Sequence, residues 1–370
     1  MSKTLALGSL EIRNFRGLRE LRIERLGRVN LITGRNNVGK TSVLEALRLF
    51  ARPGSVNALI EILGAREEVD PSSIGAKTGD ESNSLSVEGL FSRDQFERGE
   101  PPTIRIGPIT PEFSTLSISL KSHLELDAGY YEMEGWMNWA ADDSIPRRRF
   151  LLFKQGDSEL VLKIDNTQRF AMVRTGNRLP DQTASSQFVG PNGLDSAQLL
   201  RLWDGMTLTP LEDDVIAALK VIHPGIDRLN FRYLDTISRI RVPFVKIHGQ
   251  DAPVPLRTMG DGMNRIFGIA QSLASAAGGL MLVVEIENGI HYTVLEGLWK
   301  LIFRVAARLD VQVFATSHSW DCVEAFQAAA RESPAEGMLI RLARKGDRIL
   351  VGEFDERVLG IAVEGRIEVR

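Results

Sequence analysis

Residues 34–42 read Gly34-Arg35-Asn36-Asn37-Val38-Gly39-Lys40-Thr41-Ser42, the spacing G-x-x-x-x-G-K-[ST] of a phosphate-binding loop. An apolar run at 29–32 precedes it and a helical pattern at 43–50 follows, so the motif sits in the strand–loop–helix context that its chemistry requires. The glycines let successive backbone N–H groups curl around phosphates. Lys40 neutralises the β and γ oxygens, and the Thr41 hydroxyl reaches Mg²⁺. The helix that follows points its positive N-terminal end at the same anion. These residues are expected to hold a nucleoside triphosphate with magnesium.

The rest of the chain supplies enough material to build a domain around that loop. Of 370 residues, 43% are hydrophobic and 25% charged, a composition that supports a substantial core. No apolar run approaches the roughly 20 residues that cross a bilayer, and the N-terminus lacks the apolar region of a secretory signal. A single cysteine, Cys322, excludes an internal disulfide and suits a reducing compartment. A cytoplasmic protein without a membrane partner is therefore expected. The net charge of −3 gives no global pull toward nucleic acid. Arg147-Arg148-Arg149 and the Arg13, Arg16, Arg19, Arg22 series are local basic groups, for which solvated arginines beside a strand or loop are the plainer reading.

Hydrophobic periodicity predicts two strands within 8–25, joined through Arg16-Gly17, then a helix at 40–52 and a short one at 57–63. The polar stretch 66–83 reads as a loop. Runs at 103–106, 115–120, 149–153, 160–164 and 170–173 predict an antiparallel sheet. Helices are expected at 194–204 and 211–222, and strands at 227–234 and 237–248. The last third alternates helix 260–276, strand 280–285, helix 293–308, strand 311–316, helix 319–331 and strand 338–343, with a β-like close at 348–353. No heptad array is sustained enough for a long coiled coil.

A phosphate loop also needs an acid for the metal and a group to orient attacking water, normally at the end of a neighbouring buried strand. Leu280 to Glu285 supplies such a strand and a carboxylate, followed by Ile286-Glu287-Asn288-Gly289-Ile290-His291. A second apolar strand ends in Thr316-Ser317-His318. Together with Asn14-Phe15-Arg16-Gly17 and Met259-Gly260-Asp261-Gly262-Met263-Asn264-Arg265, these segments resemble the OLD/RecF/SMC-related branch of ABC-type ATPases. Within that branch the chain is most similar to short stand-alone OLD-type AAA ATPases without a Toprim nuclease domain.

The resemblance implies an α/β fold, the ABC-ATPase head of P-loop NTPases, with a β-rich N-terminal lobe and a mixed α/β insertion. The nucleotide-binding domain would be discontinuous, 1–52 and 240–370, enclosing an inserted β-rich and helical lobe at 53–239. ATP and Mg²⁺ would be the cofactors, with Gly34, Arg35, Asn36, Asn37, Val38, Gly39, Lys40, Thr41 and Ser42 on the phosphates. Glu285 would be the catalytic glutamate and, with Thr41, face the metal. Lys40 and His318 would complete the catalytic set, His318 as the switch histidine at the γ-phosphate. Gly260, Asp261 and Gly262 would form a signature turn that closes on the nucleotide of a second subunit, giving a homodimer around two ATP molecules, with Gly289 near the interface. Arg13 or Arg16 would approach the nucleotide, and Gln187 is one candidate for the glutamine loop. DNA or a separate effector protein would be the further partner, in DNA transactions or anti-phage defence.

Two departures from the family pattern bear on catalysis. Val284 stands where an acid usually precedes the glutamate, and Met259 stands where serine usually precedes the glycine turn; Thr258 could supply a hydroxyl. Glu285 or Glu287 could shift into the gap at 284. Two functions follow: an ATPase whose nucleotide-driven dimerisation is a switch, or an ATP sensor and scaffold that gates an effector without turnover. A transporter ATPase is disfavoured by the Asn-Phe-Arg-Gly start and the Glu-Asn-Gly-Ile-His strand end. His291 reads equally as a cap on its turn. The histidines and Cys322 lack zinc-ligand spacing, the tryptophans read mainly as core, and Glu212-Asp213-Asp214 opens a helix, where acids favour the dipole without a metal.

Overall fold

Strand β3, which ends in the phosphate loop, is buried along its whole length, so the position of the loop is set by the sheet around it. The computed structural model describes residues 5–66, 86–97, 101–121, 149–164, 170–173, 185–233, 240–333 and 336–369. In chain order the first half contains β1 (Leu10–Phe15), β2 (Leu18–Ile23), β3 (Val29–Gly34), α1 (Lys40–Ala51), α2 (Val56–Gly64), β4 (Thr103–Gly107), β5 (Leu116–Lys121), β6 (Arg149–Gln155), β7 (Ser158–Ile164) and β8 (Phe170–Val173). There follow β9 (Gln187–Val189), α3 (Ser196–Asp204), α4 (Pro210–Ile222), β10 (Ile226–Tyr233), β11 (Arg241–Ile247), β12 (Val254–Pro255) and α5 (Asp261–Ser275). The chain closes with β13 (Leu280–Val283), α6 (Tyr292–Leu309), β14 (Gln312–Thr316), α7 (Trp320–Arg331), β15 (Gly337–Lys345), β16 (Arg348–Asp355) and α8 (Glu356–Glu364).

The described residues fall into two compact units, one holding 5–8, 23–44 and 185–369, the other 9–22 and 45–173. The first unit is built on a six-stranded sheet in the order β16-β15-β3-β14-β13-β9. All neighbours are parallel except β16, which runs antiparallel at one edge. Wholly buried runs on β3, β13 and β14 are what a parallel sheet covered on both faces demands. The core packs Trp299 edge-on against Phe326, ring centres 5.0 Å apart, and Trp203 against Phe231 and Phe267; both tryptophans are core residues, as expected. A three-stranded antiparallel sheet, β10-β11-β12, belongs to the same unit. Buried Gln312 ties β14 to the N-terminal segment: its Oε1 accepts from Leu7 N–H, and its amide donates to the carbonyls of Leu7 and Gly27.

Helix α8 is absent from the sequence expectation, which ended in a β-like run. Asp355 caps it, its side chain accepting from Val358 N–H, but Gly360 in the helix interior lowers local propensity and masks the pattern.

The second unit is a seven-stranded antiparallel sheet, β2-β1-β4-β5-β6-β7-β8, as the recurring β-like runs predict. Alternate burial of Leu116, Ile118 and Leu120 along β5 shows the period of a sheet with one apolar face. The β6–β7 hairpin pairs Gln155 with Ser158 around Gly156, whose φ of 54° is left-handed. Arginines of this unit are paired within it: Arg13 of β1 with Glu11 at 3.0 Å, Arg19 of β2 with Asp94 at 3.8 Å, and Arg149 of β6 with Glu88. Arg147, Arg148 and the polar stretch beyond Arg66 lie outside the described residues.

Within this unit Arg16, itself at φ 54°, directs its Nε to Glu45 at 2.8 Å, and both side chains are buried. Arg66 holds the same carboxylate through two hydrogen bonds, 3.0 and 3.1 Å. Removing one partner of a buried ion pair leaves an uncompensated charge and costs about 3–5 kcal/mol. Glu45→Ala is accordingly expected to lower the free energy of urea unfolding by about 3 kcal/mol, measured by circular dichroism; a change below about 0.5 kcal/mol would show that the cluster contributes little.

Candidate nucleotide site

The loop geometry follows from three backbone positions. Gly34, at φ 142°, passes so close to β15 that a Cβ there would sit 2.4 Å from the Leu342 carbonyl oxygen. Asn37 and Gly39 also take positive φ, 62° and 103°, which reverse the chain before α1 begins with Val43 N–H donating to the Gly39 carbonyl. Lys40 curls back over the loop, its Nζ donating to the carbonyls of Gly34 at 2.6 Å and Arg35 at 3.2 Å. An ammonium has three donors, so one remains for a phosphate. Burial pulls Lys40 below the ordinary lysine pKa, and the fields of Glu285 and then Glu287 partly oppose that shift. Arg35, Asn36, Asn37 and Thr41 are exposed around the loop.

The acids acting on Lys40 come from the end of β13. Sequence periodicity extends this strand to 285, but pairing stops at Val283 because Glu285 adopts φ 47°, a left-handed conformation that no strand continues. Glu285 N–H donates to Thr316 Oγ1 at 2.8 Å and Ile286 N–H to the Thr316 carbonyl, so the end of β14 holds the turn. The Glu285 carboxylate is partly exposed, with Oε2 accepting from Asn288 Nδ2 at 3.0 Å. The Glu287 side chain is only 9% exposed. Its Oε1 accepts from Ser317 Oγ at 2.8 Å and from His318 N–H at 3.0 Å. The half-exposed His318 ring places Nδ1 3.3 Å from Glu287 and 3.8 Å from Glu285. Glu285, Glu287 and His318 thus form one cluster, and the field of its two acids reaches Lys40.

Gly260, Asp261 and Gly262 open helix α5 as expected, with Gly260 at φ 102° in the cap position and no side chain capping the helix. The turn packs on the Asn288-Gly289 segment: a Cβ on Gly262 would lie 2.7 Å from the Gly289 carbonyl oxygen. Thr258 donates its hydroxyl to the Pro255 carbonyl. Beside the turn a cleft of about 620 Å³ is lined by Arg257, Asp261, Asn264, Asn288 and Gly289 among others.

Sequence analysis placed Arg265 and Ser317 within motif segments but gave neither a role. Arg265 is buried on α5 and donates to the carbonyls of Gly190 and Val284 at 2.6 Å and of Glu285 at 3.0 Å. Burial lowers its pKa to about 10, against the fields of Glu287 and Glu285. It thereby joins the helix that the glycine turn opens to the backbone carrying the acids. Its sequence signal was its place at the end of the Met259–Arg265 segment.

Other candidates have ordinary roles. His291 caps α6, its Nδ1 lying 2.9 Å from Thr293 Oγ1. Burial pushes the Cys322 thiol up to about 12, so it is a small core residue rather than a nucleophile. Glu212 accepts from Leu208 N–H and Asp214 pairs with Arg308 at the start of α4. Gln187 begins β9, opposite Met281. Arg13 and Arg16, anticipated beside the nucleotide, are held by the acids described above. Among the described residues no group of three or more His, Cys, Asp or Glu side chains could hold a metal. Mg²⁺, however, needs only one or two carboxylates when phosphates and water complete its shell. The residues present fit that case: Thr41 is exposed at the start of α1, and Glu287 Oε2 is buried without a hydrogen-bond partner among the described residues. No helix among the described residues is long and apolar enough to cross a membrane.

Two protein-family models match the chain: "AAA domain, putative AbiEii toxin, Type IV TA system" over residues 211–321 and "AAA ATPase domain" over residues 6–96. The chain is 22% identical over 352 residues to an ATP/GTP phosphatase of Helicobacter pylori, covering 88% of each protein. It is 28% identical over 133 residues to the DNA replication and repair protein RecF of Nitrosococcus oceani, covering 35% of this chain and 37% of that one. Among solved structures, the Smc head domain with an extended coiled coil bound to the C-terminal domain of ScpA, from Pyrococcus furiosus, aligns with a TM-score of 0.49 at 11% identity, over 97% of this chain and 99% of that one. The family matches take in both halves of the site, the phosphate loop in one and the glycine turn with the acidic strand end in the other. Both models are of AAA ATPase domains, so the two matched stretches are AAA ATPase-like, and over 35% of its length the chain is similar to RecF.

Proposed function

We propose that the chain binds ATP with Mg²⁺, hydrolyses it, and uses the nucleotide to close two copies of itself into a dimer that switches a DNA-linked process or a defence effector. The observation that carries the reading is the convergence of two strand ends on Lys40: carboxylates from the turn after β13, fixed by the end of β14, act electrostatically on the lysine of the loop after β3.

In this reaction the phosphates lie on the loop N–H groups and the positive end of α1, with the remaining Lys40 proton on the β/γ oxygens. Bound Mg²⁺ would be held by Thr41 and a strand-end carboxylate, and would neutralise charge on the same oxygens. Glu285 orients a water in line with the γ-phosphate and takes its proton as the bond to the β-phosphate oxygen breaks, releasing ADP and phosphate. His318, touching both acids, senses the γ-phosphate. The exposed, uncapped N-terminus of α5 offers free backbone N–H groups, which would meet the γ-phosphate of a second subunit's nucleotide.

A second reading, an ATP sensor that gates a partner without turnover, draws on Val284, a buried aliphatic residue where the resembled family carries an acid. Steady-state phosphate release separates the two. The enzyme reading expects Lys40→Ala to abolish nucleotide binding, and Glu285→Gln to keep it while slowing turnover by about 10²–10⁴-fold, the usual contribution of a general base. Undetectable wild-type turnover with intact binding would establish the sensor, and turnover unchanged in Glu285→Gln would remove Glu285 from the mechanism.

Dimerisation has its own test. Gly262→Ala forces a methyl group against the Gly289 carbonyl and is expected to prevent ATP-dependent doubling of mass in light scattering while leaving ATP binding intact. Unimpaired doubling in this variant would place the dimer contact elsewhere.

A further inference from the structure

We propose that Glu287 is the carboxylate that faces the nucleotide's divalent cation, the role for which the chain carries no acid at 284. This rests on the ATP reading above.

The two strand-end glutamates are not equivalent. Glu285 is partly open to solvent and its Oε2 is already engaged by Asn288. The Glu287 side chain is nine-tenths buried and immobilised through one oxygen, Oε1, by Ser317 Oγ and His318 N–H. Its other oxygen, Oε2, is cut off from solvent with no donor in reach among the described residues. A desolvated carboxylate oxygen without a partner is costly, and cationic charge brought to it would relieve that cost. Lys40 and Arg265 both feel its field, yet neither supplies the missing donor. Val284 presents only methyl groups and is buried, with its N–H used by the Val189 carbonyl.

Charge balance points the same way. A nucleoside triphosphate on Lys40 would bring several negative charges into a region where Glu285 and Glu287 already act on the lysine. Without a cation the acids oppose binding; with one between phosphate and Glu287 they favour it. Mg²⁺ is commonly held by one or two carboxylates plus phosphates, so Glu287 with the Thr41 hydroxyl is a sufficient protein contribution.

This gives Glu287→Gln a signature that a purely structural role would not produce. The amide is isosteric and its oxygen still accepts from Ser317 and His318. Binding of a fluorescent ATP analogue would be titrated by anisotropy in EDTA and again in millimolar Mg²⁺. The wild type is expected to bind more tightly with Mg²⁺. Glu287→Gln is expected to bind at least as tightly as wild type in EDTA, having lost a repelling charge, while the tightening caused by Mg²⁺ falls by about tenfold or more. Glu287→Asp retains the charge and is expected to keep an intermediate gain; it also carries the test if the amide variant does not fold. A wild-type Mg²⁺ gain in Glu287→Gln would overturn the proposal, as would equal weakening in both buffers, which marks a structural residue. Failure of the wild type to bind in either buffer would overturn the ATP reading itself, and the proposal with it.

Discussion

The close approach of Gly34 to β15 is the constraint on which the rest of the site depends. Strand β3 is buried from end to end between β15 and β14, and its last residue has room for a hydrogen atom but not a methyl group beside the Leu342 carbonyl. That contact, with the left-handed turn of Asn37 and Gly39, aims the first N–H groups of α1 and folds Lys40 back onto the loop. The same sheet places β14 next to β3 and β13 next to β14, so two strand ends bring Glu285, Glu287, Ser317 and His318 to the lysine. The site is thus a product of strand order: the acids and the loop are far apart in the chain, and in the sheet only β14 stands between their strands.

Electrostatics then defines what such a site can accept. A buried lysine pulled down by desolvation is held partly in check by two carboxylates, and a buried arginine is bound to backbone carbonyls of the same turn. In the proposed reading, a polyanion arriving at Lys40 would meet opposing charges that a bound cation would offset, which would make nucleotide and metal one ligand in physical terms. Arg265 adds a mechanical link, since it ties the helix opened by Gly260-Asp261-Gly262 to the backbone of Glu285. In the proposed mechanism, closure at the glycine turn and alignment of the acid would share a guanidinium.

The phosphate loop was legible in the sequence because its chemistry requires glycines and a lysine at fixed spacing, with a buried strand before them. The alternation of helix and strand in the last third and the antiparallel runs near the middle were equally readable, since burial imposes periods that differ between the two. The left-handed Glu285 was not: the strand pattern runs on through it, and the turn is set by Thr316, a contact across 31 positions. The difference in surroundings between Glu285 and Glu287 was also hidden, because it depends on which oxygen Ser317 and Asn288 occupy. Arg265 was visible only as the end of the Met259–Arg265 segment, and the fold shows the carbonyls that receive it.

Hydrogen–deuterium exchange with and without ATP and Mg²⁺ tests the account most directly. Amides of residues 34–43, together with those of 284–291, are expected to become protected on adding nucleotide, because the loop N–H groups bind phosphate while the acidic turn is fixed by the cation. Protection confined to other segments, or none at saturating ATP, would contradict a nucleotide site built from these two strand ends.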